Sequence, residues 1–409
     1  MAKRESRNLL VGLDIGTSKV TCIVGELMPE GHVEIVGLGS HPSRGLKRGV
    51  VVNIEATTQA IRRAVEEAEL MAGCRAQSVF VGISGAHIKS HNSVGVVPVR
   101  SREVSEKDVE SVIEGGRAIA IPADQKVLHV VPQEFVVDGQ EGIQEPVGMF
   151  GVRLEAKVHI VTGSESAAQN VQKCVESCGL HVDKLCLNHL ASAYAVLMPD
   201  ERELGVCMVD IGGGTSDIAV FKGGAVRHTA VLPVAGDQVT NDISVAFRTP
   251  TQAAEDIKLK FGCALPQLLT FDEEIEVPSV GENPPRRLSR ITLSEVIRPR
   301  YEELFRLIRK ELHRSDWYDG IAGGVVLTGG ACYLPGVQEL AEEVFELPVR
   351  LGLPQNVVGV RDVAKSPANA TAVGLLQYGR QFQAPKDSRP EVGVGYWVQR
   401  VSQWFKGNF

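Results

Sequence analysis

The sequence has no apolar run approaching the ~20 residues needed to cross a bilayer. Its 409 residues include three tryptophans and 5% aromatics. No Cys-x-x-Cys pair occurs: Cys22, Cys74, Cys174, Cys178, Cys186, Cys207, Cys263 and Cys332 are scattered, mostly among apolar neighbours. That pattern excludes a disulfide scaffold and a zinc ribbon, and reads as small buried hydrophobes. Cys174 and Cys178 share a helical spacing, and metal binding is their lesser reading. There is no basic excess, with 43 Lys and Arg against 50 Asp and Glu and a net charge of -7. Nucleic acid is therefore not an expected partner. A Gly-xxxx-Gly-Lys-Ser/Thr loop is absent, as is a Gly-x-Gly-x-x-Gly after a strand. The ten histidines show no zinc spacing, and Gly82-Ile83-Ser84-Gly85 is not a nucleophile elbow. Met1 to Asn8 is polar and basic and Leu9 to Leu13 is short for a signal h-region, so a cytoplasmic chain is expected.

What remains is a chain with 44% hydrophobic and 23% charged residues, long enough for two to four domains. Its pattern is α/β. Strands are expected over Leu9–Leu13, Lys19–Val24, Ser78–Ile83, Gly205–Val209 and Val325–Leu327. Helices are expected over Thr57–Met71, closed by Gly73, and over Ala167–Cys178, Leu190–Leu197, Thr251–Phe261, Tyr301–Arg314 and Pro367–Tyr378. From Ser84 to Thr162 short strands surround one helix with a Ser105-x-x-Asp108 cap, the texture of an inserted α+β unit. Phe271–Arg290 is polar and Pro-rich with weak strands, and Gln381–Gly395 reads as a flexible linker.

Two echoes run through the chain. Val11-Gly12-Leu13-Asp14-Ile15-Gly16-Thr17-Ser18 matches Cys207-Met208-Val209-Asp210-Ile211-Gly212, which reaches Thr215-Ser216 after two further glycines. Val81 to Ala86 matches Val326 to Ala331. Two similar α/β halves facing across a cleft explain both. Hairpin turns with glycine and hydroxyls aim backbone N–H groups at phosphate oxygens, and an Asp at the strand end holds Mg²⁺ through water. Taken alone, Asp14-Ile15-Gly16-Thr17-Ser18-Lys19 is as readily an ordinary hairpin. Beside Asp210-Ile211-Gly212-Gly213-Gly214-Thr215 it becomes half of a nucleotide clamp, because three glycines between strands imply close backbone approach. Thr328-Gly329-Gly330-Ala331 offers a flat surface for a base or ribose. Glu255 and Lys258, at i and i+3, suit a ribose and adenine contact or a surface ion pair.

The tail carries Trp397, Val398, Val401, Trp404 and Phe405 on one helical face, with Arg400 and Lys406 off it and no acid after Glu391. Such a helix lies in a lipid headgroup layer. The rival reading docks it on the chain's own core or on a partner groove.

The ordered set Asp14-Ile15-Gly16-Thr17, Asp210-Ile211-Gly212-Gly213-Gly214-Thr215 and Thr328-Gly329-Gly330 resembles the actin/Hsp70/sugar-kinase ATPase superfamily. Within it the whole chain resembles the bacterial cell-division family FtsA, through Glu203-Leu204-Gly205-Val206-Cys207, Ala254-Glu255-Asp256-Ile257-Lys258, Glu276 to Gly281 and Thr371 to Leu376. The resemblance implies an actin-like fold of two related α/β halves around a nucleotide cleft. It implies subdomain 1A over 1–83, 163–195 and 367–380, and an inserted subdomain 1C over 84–162. Subdomain 2A would cover 196–225 and 305–366, subdomain 2B 226–304, a linker 381–395 and a membrane-targeting helix 396–409. ATP and Mg²⁺ are the implied cofactors, with Asp14, Gly16, Thr17, Ser18, Lys19, Asp210, Gly212, Gly213, Gly214 and Thr215 on the phosphates. Gly236, Glu255, Lys258, Gly329, Gly330 and Ala331 would hold the adenosine, and Asp14 and Asp210 the metal. No catalytic residue is assigned, Asp210 being the one candidate. The implied partners are a polymer of the chain itself, membrane lipids, the tubulin-like FtsZ through its C-terminal peptide at subdomain 2B, and later division proteins at subdomain 1C. Arg286, Arg287, Arg290 and Arg300 are basic enough to meet an acidic peptide, as are solvated surface arginines anywhere; Arg286 and Arg300 are the chosen contacts. The implied place is the cytoplasmic face of the inner membrane at the division site. One departure concerns turnover: the helix that opens with Glu or Gln in superfamily ATPases here opens Asn188-His189-Leu190-Ala191. An amide is no base, so a slow ATPase at most is expected. A small-molecule kinase and a chaperone ATPase are the alternatives. The first wants a base that is not evident, the second a longer chain.

Overall fold

The computed structural model describes residues 9–28, 32–281, 284–360 and 366–383. Two mixed sheets form its two halves. In the first, β1 (Leu9–Ile15), β2 (Lys19–Leu27) and β3 (Val33–Pro42) form an antiparallel meander, and β19 (Val357–Gly359) joins β3 in parallel at the edge. On the other side of β1, β6 (Ser78–Ile83) and then β11 (His181–Leu187) are added in parallel. In the second, β12 (Val206–Ile211), β13 (Ser216–Lys222) and β14 (Ala225–Leu232) repeat that meander, and β17 (Val325–Thr328) and β18 (Val349–Leu351) repeat the parallel addition. The strand orders are thus β11-β6-β1-β2-β3-β19 and β14-β13-β12-β17-β18. The sequence echoes are equivalent strands: β1 with β12, and β6 with β17. The expected α/β architecture of two related halves is what the chain adopts.

Local chemistry sets the element ends. Helix α1 (Ile54–Ala72) begins where the Asn53 side chain accepts from Ala56 N–H, and stops at Gly73 in the left-handed region, φ 65°. Ala60, Ile61, Ala64, Val65 and Ala68 are its buried face, as the apolar spacing predicts. Helix α2 (Glu106–Arg117) carries the Ser105–Asp108 capping box. It covers one face of a separate sheet made, in spatial order, of β7 (Lys89–Pro98), β10 (Arg153–Ser164), β8 (Gln125–Val137) and β9 (Gln140–Ile143). This unit has its own core around Val109, Val112, Phe135, Leu154 and Val158. Its sheet leans on β14, with Ser90 Oγ donating to the Thr229 carbonyl at 2.8 Å and Gln133 Nε2 to the Val226 carbonyl at 2.7 Å.

Several boundaries differ from expectation. The long helix of the second half, α8, spans Arg290–Arg314 and passes through Pro299. The proline marks a boundary by the local rule, but the first turns are held by the Ser289 cap and by buried Leu293 and Ile297, which outweigh one lost backbone bond. Leu304, Phe305, Ile308 and Leu312 form its buried face over the stretch expected to be helical. The last described helix, α10, spans Ala370–Gln383 and enters the stretch expected to be linker from Gln381. Phe382 keeps it going: its ring stacks on Phe80 with centroids 6.1 Å apart. The expected boundary at 225/226 falls at the start of the edge strand β14, and that at 304/305 falls inside α8. The tail residues Trp397, Val398, Arg400, Val401, Trp404, Phe405 and Lys406 lie outside the described residues. No described helix is long and apolar enough to cross a membrane.

The halves meet where α4 (Asn188–Val196) crosses α10. A Cβ on Gly374 would stand 1.7 Å from the Ala191 carbonyl oxygen, so the backbones touch. Gly374→Val is expected to separate the helices and destabilise the protein by about 1–3 kcal/mol or more. A thermal midpoint equal to wild type would contradict that packing.

Candidate functional site

Each half ends its central hairpin in the same turn. In the first, Gly16 N–H donates to the Lys19 carbonyl at 3.0 Å; in the second, Gly212 N–H donates to the Thr215 carbonyl at 2.9 Å. The two turns face each other at contact distance. A Cβ on Gly213 would stand 2.0 Å from Ser18 Oγ, and one on Gly214 2.6 Å from Thr17 Oγ1. The glycines are thus required by the opposing hairpin itself, a reason the sequence does not reveal.

Between them opens a cavity of 390 Å³. Every residue expected on the phosphates lines it: Asp14, Gly16, Thr17, Ser18, Lys19, Asp210, Gly212, Gly213, Gly214 and Thr215. So does every residue expected on the adenosine: Gly236, Glu255, Lys258, Gly329, Gly330 and Ala331. Glu255 and Lys258 are not a surface pair. Lys258 is 7% exposed and sits 2.7 Å from Glu255 Oε2. Its Nζ also donates to Thr240 Oγ1 at 2.9 Å and to the Gly236 carbonyl at 3.2 Å. This ties α7 (Thr251–Phe261) to the start of α6 (Gly236–Phe247). Tyr301, Leu259 and Tyr333 add an apolar wall beside Gly330 and Ala331.

The opposite end is acidic. Asp210 is 8% exposed and accepts from Ser192 Oγ at 2.5 Å and Thr371 Oγ1 at 3.0 Å. Asp14 Oδ1 is buried with no hydrogen-bond partner. Asp217, directly opposite Asp210 across the β12–β13 ladder, accepts from Ser84 Oγ at 2.7 Å. Burial first, and the neighbouring Asp210 second, push Asp14 up to about 7 and Asp217 up to about 8. Burial also raises Asp210, against the hydroxyls of Ser192 and Thr371. Lys19 is close, but its Nζ is held by Asn369 Oδ1 at 3.0 Å. Asp210 and Asp217 are buried and Asp14 is half-buried, its Oδ1 aimed at this end of the cavity with no partner of its own. Among the described residues no three acids, histidines or cysteines are grouped to chelate a metal directly.

Asp14 and Asp217 stay protonated in the folded chain well above the ordinary value of 3.8. Between those limits the native state binds more protons than the unfolded chain, so stability falls as pH rises. Without nucleotide or metal, the thermal midpoint is expected to drop from ~pH 5 to ~pH 8.5, and Asp217→Asn to flatten the drop. An identical pH profile in that variant would refute a carboxyl origin for the drop.

Sequence reasoning does not single out Asp217, Ser84, Ser192, Asn369 or Thr371. Asp217 comes just after the glycine turn and is within reach of the strand alternation; the others come from remote segments. Asn188 opens α4 and lines the cavity, its Oδ1 buried and without a partner. Arg286 and Arg300 lie elsewhere. Arg300 Nε meets Asp242 Oδ2 at 2.6 Å, and Arg286 donates to the Phe247 carbonyl. Among the described residues the eight cysteines form no disulfide, and Cys178 Sγ faces the Thr58 carbonyl at 3.4 Å.

Comparison with known proteins gives a consistent picture. The family model described as "Cell division protein FtsA" matches residues 207–374, and "SHS2 domain inserted in FTSA" matches residues 85–162. The chain is 57% identical over 417 residues to "Cell division protein FtsA" of Pseudomonas aeruginosa, covering 100% of each. It is 48% identical over 420 residues to the protein of that name from Escherichia coli K12, again covering 100% of each. Among solved structures, one titled "PilM-PilN type IV pilus biogenesis complex" aligns with a TM-score of 0.66 at 19% identity, over 91% of this chain and 98% of that one. MreB5 of Spiroplasma citri bound to ADP aligns with a TM-score of 0.56 at 14% identity, over 92% and 97%.

Proposed function

The chain belongs to the FtsA family of cell-division proteins, and from that premise we propose that it is an ATP-binding, actin-like adaptor. It polymerises on the cytoplasmic membrane, holds FtsZ there and gathers later division proteins. The observation that carries the nucleotide part is the pair of matched hairpins, with the carboxyls of Asp14, Asp210 and Asp217 facing one cavity. Asp14 and Asp210 would hold Mg²⁺ through water, and the ion would supply charge neutralisation to the phosphates. The backbone N–H groups of the two turns, the hydroxyls of Thr17, Ser18 and Thr215, and Lys19 orient the phosphate chain. Glu255 and Lys258 take the ribose, and Gly329 to Ala331 the base.

The nucleotide acts as an assembly switch with slow turnover. Asn188 stands where a proton-accepting or water-orienting side chain would serve hydrolysis, and an amide accepts no proton. The tail helix supplies the membrane contact. Arg286 and Arg300 are the proposed FtsZ contacts, and Arg300 would exchange its Asp242 partner for an acidic peptide.

The test is co-sedimentation of the full chain with anionic phospholipid vesicles, with and without Mg-ATP and purified FtsZ. The expected result is reversible pelleting of the chain, strengthened by Mg-ATP, with FtsZ pelleting only when the chain is present. A chain that stays in the supernatant under every condition would sink the adaptor reading.

A further inference from the structure

One turn at the cavity belongs to neither phosphate hairpin. Strands β4 (Leu46–Lys47) and β5 (Val50–Val51) pair Leu46 with Val51 and Lys47 with Val50, leaving Arg48-Gly49 as a two-residue loop. Both loop residues are left-handed, with φ 51° and 77°. Such a loop favours Asn, Asp or Gly at its first position. A long β-carbon-bearing side chain held there is a conformational outlier, and outliers of this kind gather at ligand sites.

The placement of the loop gives the outlier a purpose. Gly49 N–H donates to Thr17 Oγ1 at 3.1 Å, fixing the loop to the first hairpin. Arg48 Cα stands 3.0 Å from the point where a Cβ on Gly214 would lie, so the loop also presses on the second hairpin. A Cβ on Gly49 would come 2.9 Å from Gly85 Cα and 3.0 Å from the Ser84 carbonyl carbon, where the inserted unit begins. Gly49 lines the cavity, and Arg48 is its exposed neighbour. No described residue pairs with the Arg48 guanidinium.

Charge balance points the same way. Asp14, Asp210, Asp217 and Glu255 line the cavity against Lys19 and Lys258. Lys258 is neutralised by Glu255, and Lys19 is tied to Asn369. In the walls, a terminal phosphoryl group brought to the hairpin end meets one lysine, Lys19, which it would share with Asn369. A guanidinium at the lip presents a planar fork of donors suited to phosphate oxygens.

We propose that Arg48 is the residue that tells a nucleoside triphosphate from a diphosphate, by bonding the terminal phosphoryl oxygens across the two hairpins. The inference rests on the cavity being a nucleotide site. Because its loop touches both hairpins and the root of the inserted unit, the same contact draws these three elements together.

The experiment is calorimetric titration of the full chain with Mg-ADP and with the Mg²⁺ complex of a β,γ-imido ATP analogue. Wild type is compared with Arg48→Ala, Arg48→Asn, Arg48→Lys and Lys47→Ala. Arg48→Ala is expected to lose ~10- to 100-fold in triphosphate affinity, the scale of a charge-assisted hydrogen bond, while Mg-ADP binding changes little. Arg48→Asn, which suits the left-handed turn, should show the same loss with an unimpaired thermal midpoint. Arg48→Lys should lose less, and Lys47→Ala, an exposed cation one residue away, should bind as wild type does. Equal losses for both nucleotides, an unchanged ratio, or an equal effect of Lys47→Ala would overturn the assignment of Arg48 alone. Wild-type protein that failed to bind Mg-ADP would instead overturn the nucleotide reading of the cavity.

Discussion

Trp404→Glu is expected to release the protein from anionic vesicles, while Gln403→Glu leaves it bound. Trp404 is a large member of the apolar set Trp397, Val398, Val401, Trp404 and Phe405, whereas Gln403 falls on the polar side by helical spacing. Burying one large apolar side chain is worth about 1.5–3 kcal/mol. Five of them leave several kcal/mol after the helix is ordered, enough for reversible attachment comparable with one acyl chain. A carboxylate on that face removes one apolar contribution and opposes insertion of the rest. The proposed polymerisation would place many weak anchors on one surface, and linkage would raise avidity by ~10²–10⁴ without a new contact. The largest difference between the variants should therefore appear with Mg-ATP present. Vesicle sedimentation in which both pellet like wild type would favour a helix docked on the protein instead. Unaltered Mg-ATP binding in Trp404→Glu would show the variant to be folded.

Asp210→Asn should act in two opposite directions at once. It removes the charge proposed to position the metal, and the expected loss of Mg-ATP affinity is ~10- to 100-fold, or about 1.5–3 kcal/mol. It also relieves repulsion, since Asp210 is the neighbour that raises both Asp14 and Asp217. The nucleotide-free variant should therefore melt higher than wild type near neutral pH, while gaining less from added Mg-ATP. Asp14→Asn should share the affinity loss. Calorimetry and thermal melts read both quantities, and an unchanged affinity in both variants would remove these carboxylates from the metal site. Turnover belongs to the same experiment. A steady-state rate near ~10 per second, typical of enzymes, would contradict the role of Asn188.

The parts of the site that are legible in sequence are those made by short contiguous segments. An apolar strand, an Asp at its end and a glycine–hydroxyl turn are local, and their repetition at Asp14 and Asp210 reveals the pairing of the halves. The hidden parts are supplied across long separations. Ser192 and Thr371 reach Asp210 from 18 and 161 residues away, and Ser84 reaches Asp217 from 133. Lys19 finds Asn369 at a separation of 350. Hydroxyls and amides of this kind look like any surface residue until the chain is folded. Strand β3 is hard to read because glycines interrupt its alternation. Gly39 is there because α1 passes so close that a Cβ would stand 1.9 Å from the Ala64 carbonyl oxygen. The N-terminal turns of α8 are masked by a local rule about Pro299 that burial overrides.

The two halves share a strand order but diverge beyond their equivalent strands β6 and β17. After β6 the chain leaves to build the inserted sheet; after β17 it turns at once through Gly329 and Gly330 along the cavity wall. A duplicated scaffold has thus become a molecule with a fixed direction. In the proposed reading a nucleoside would face only one half, and the inserted unit grows only from the other. Copies stacked end to end through unlike surfaces would form a strand with distinguishable ends. The asymmetry that orients a small ligand would then also orient an array.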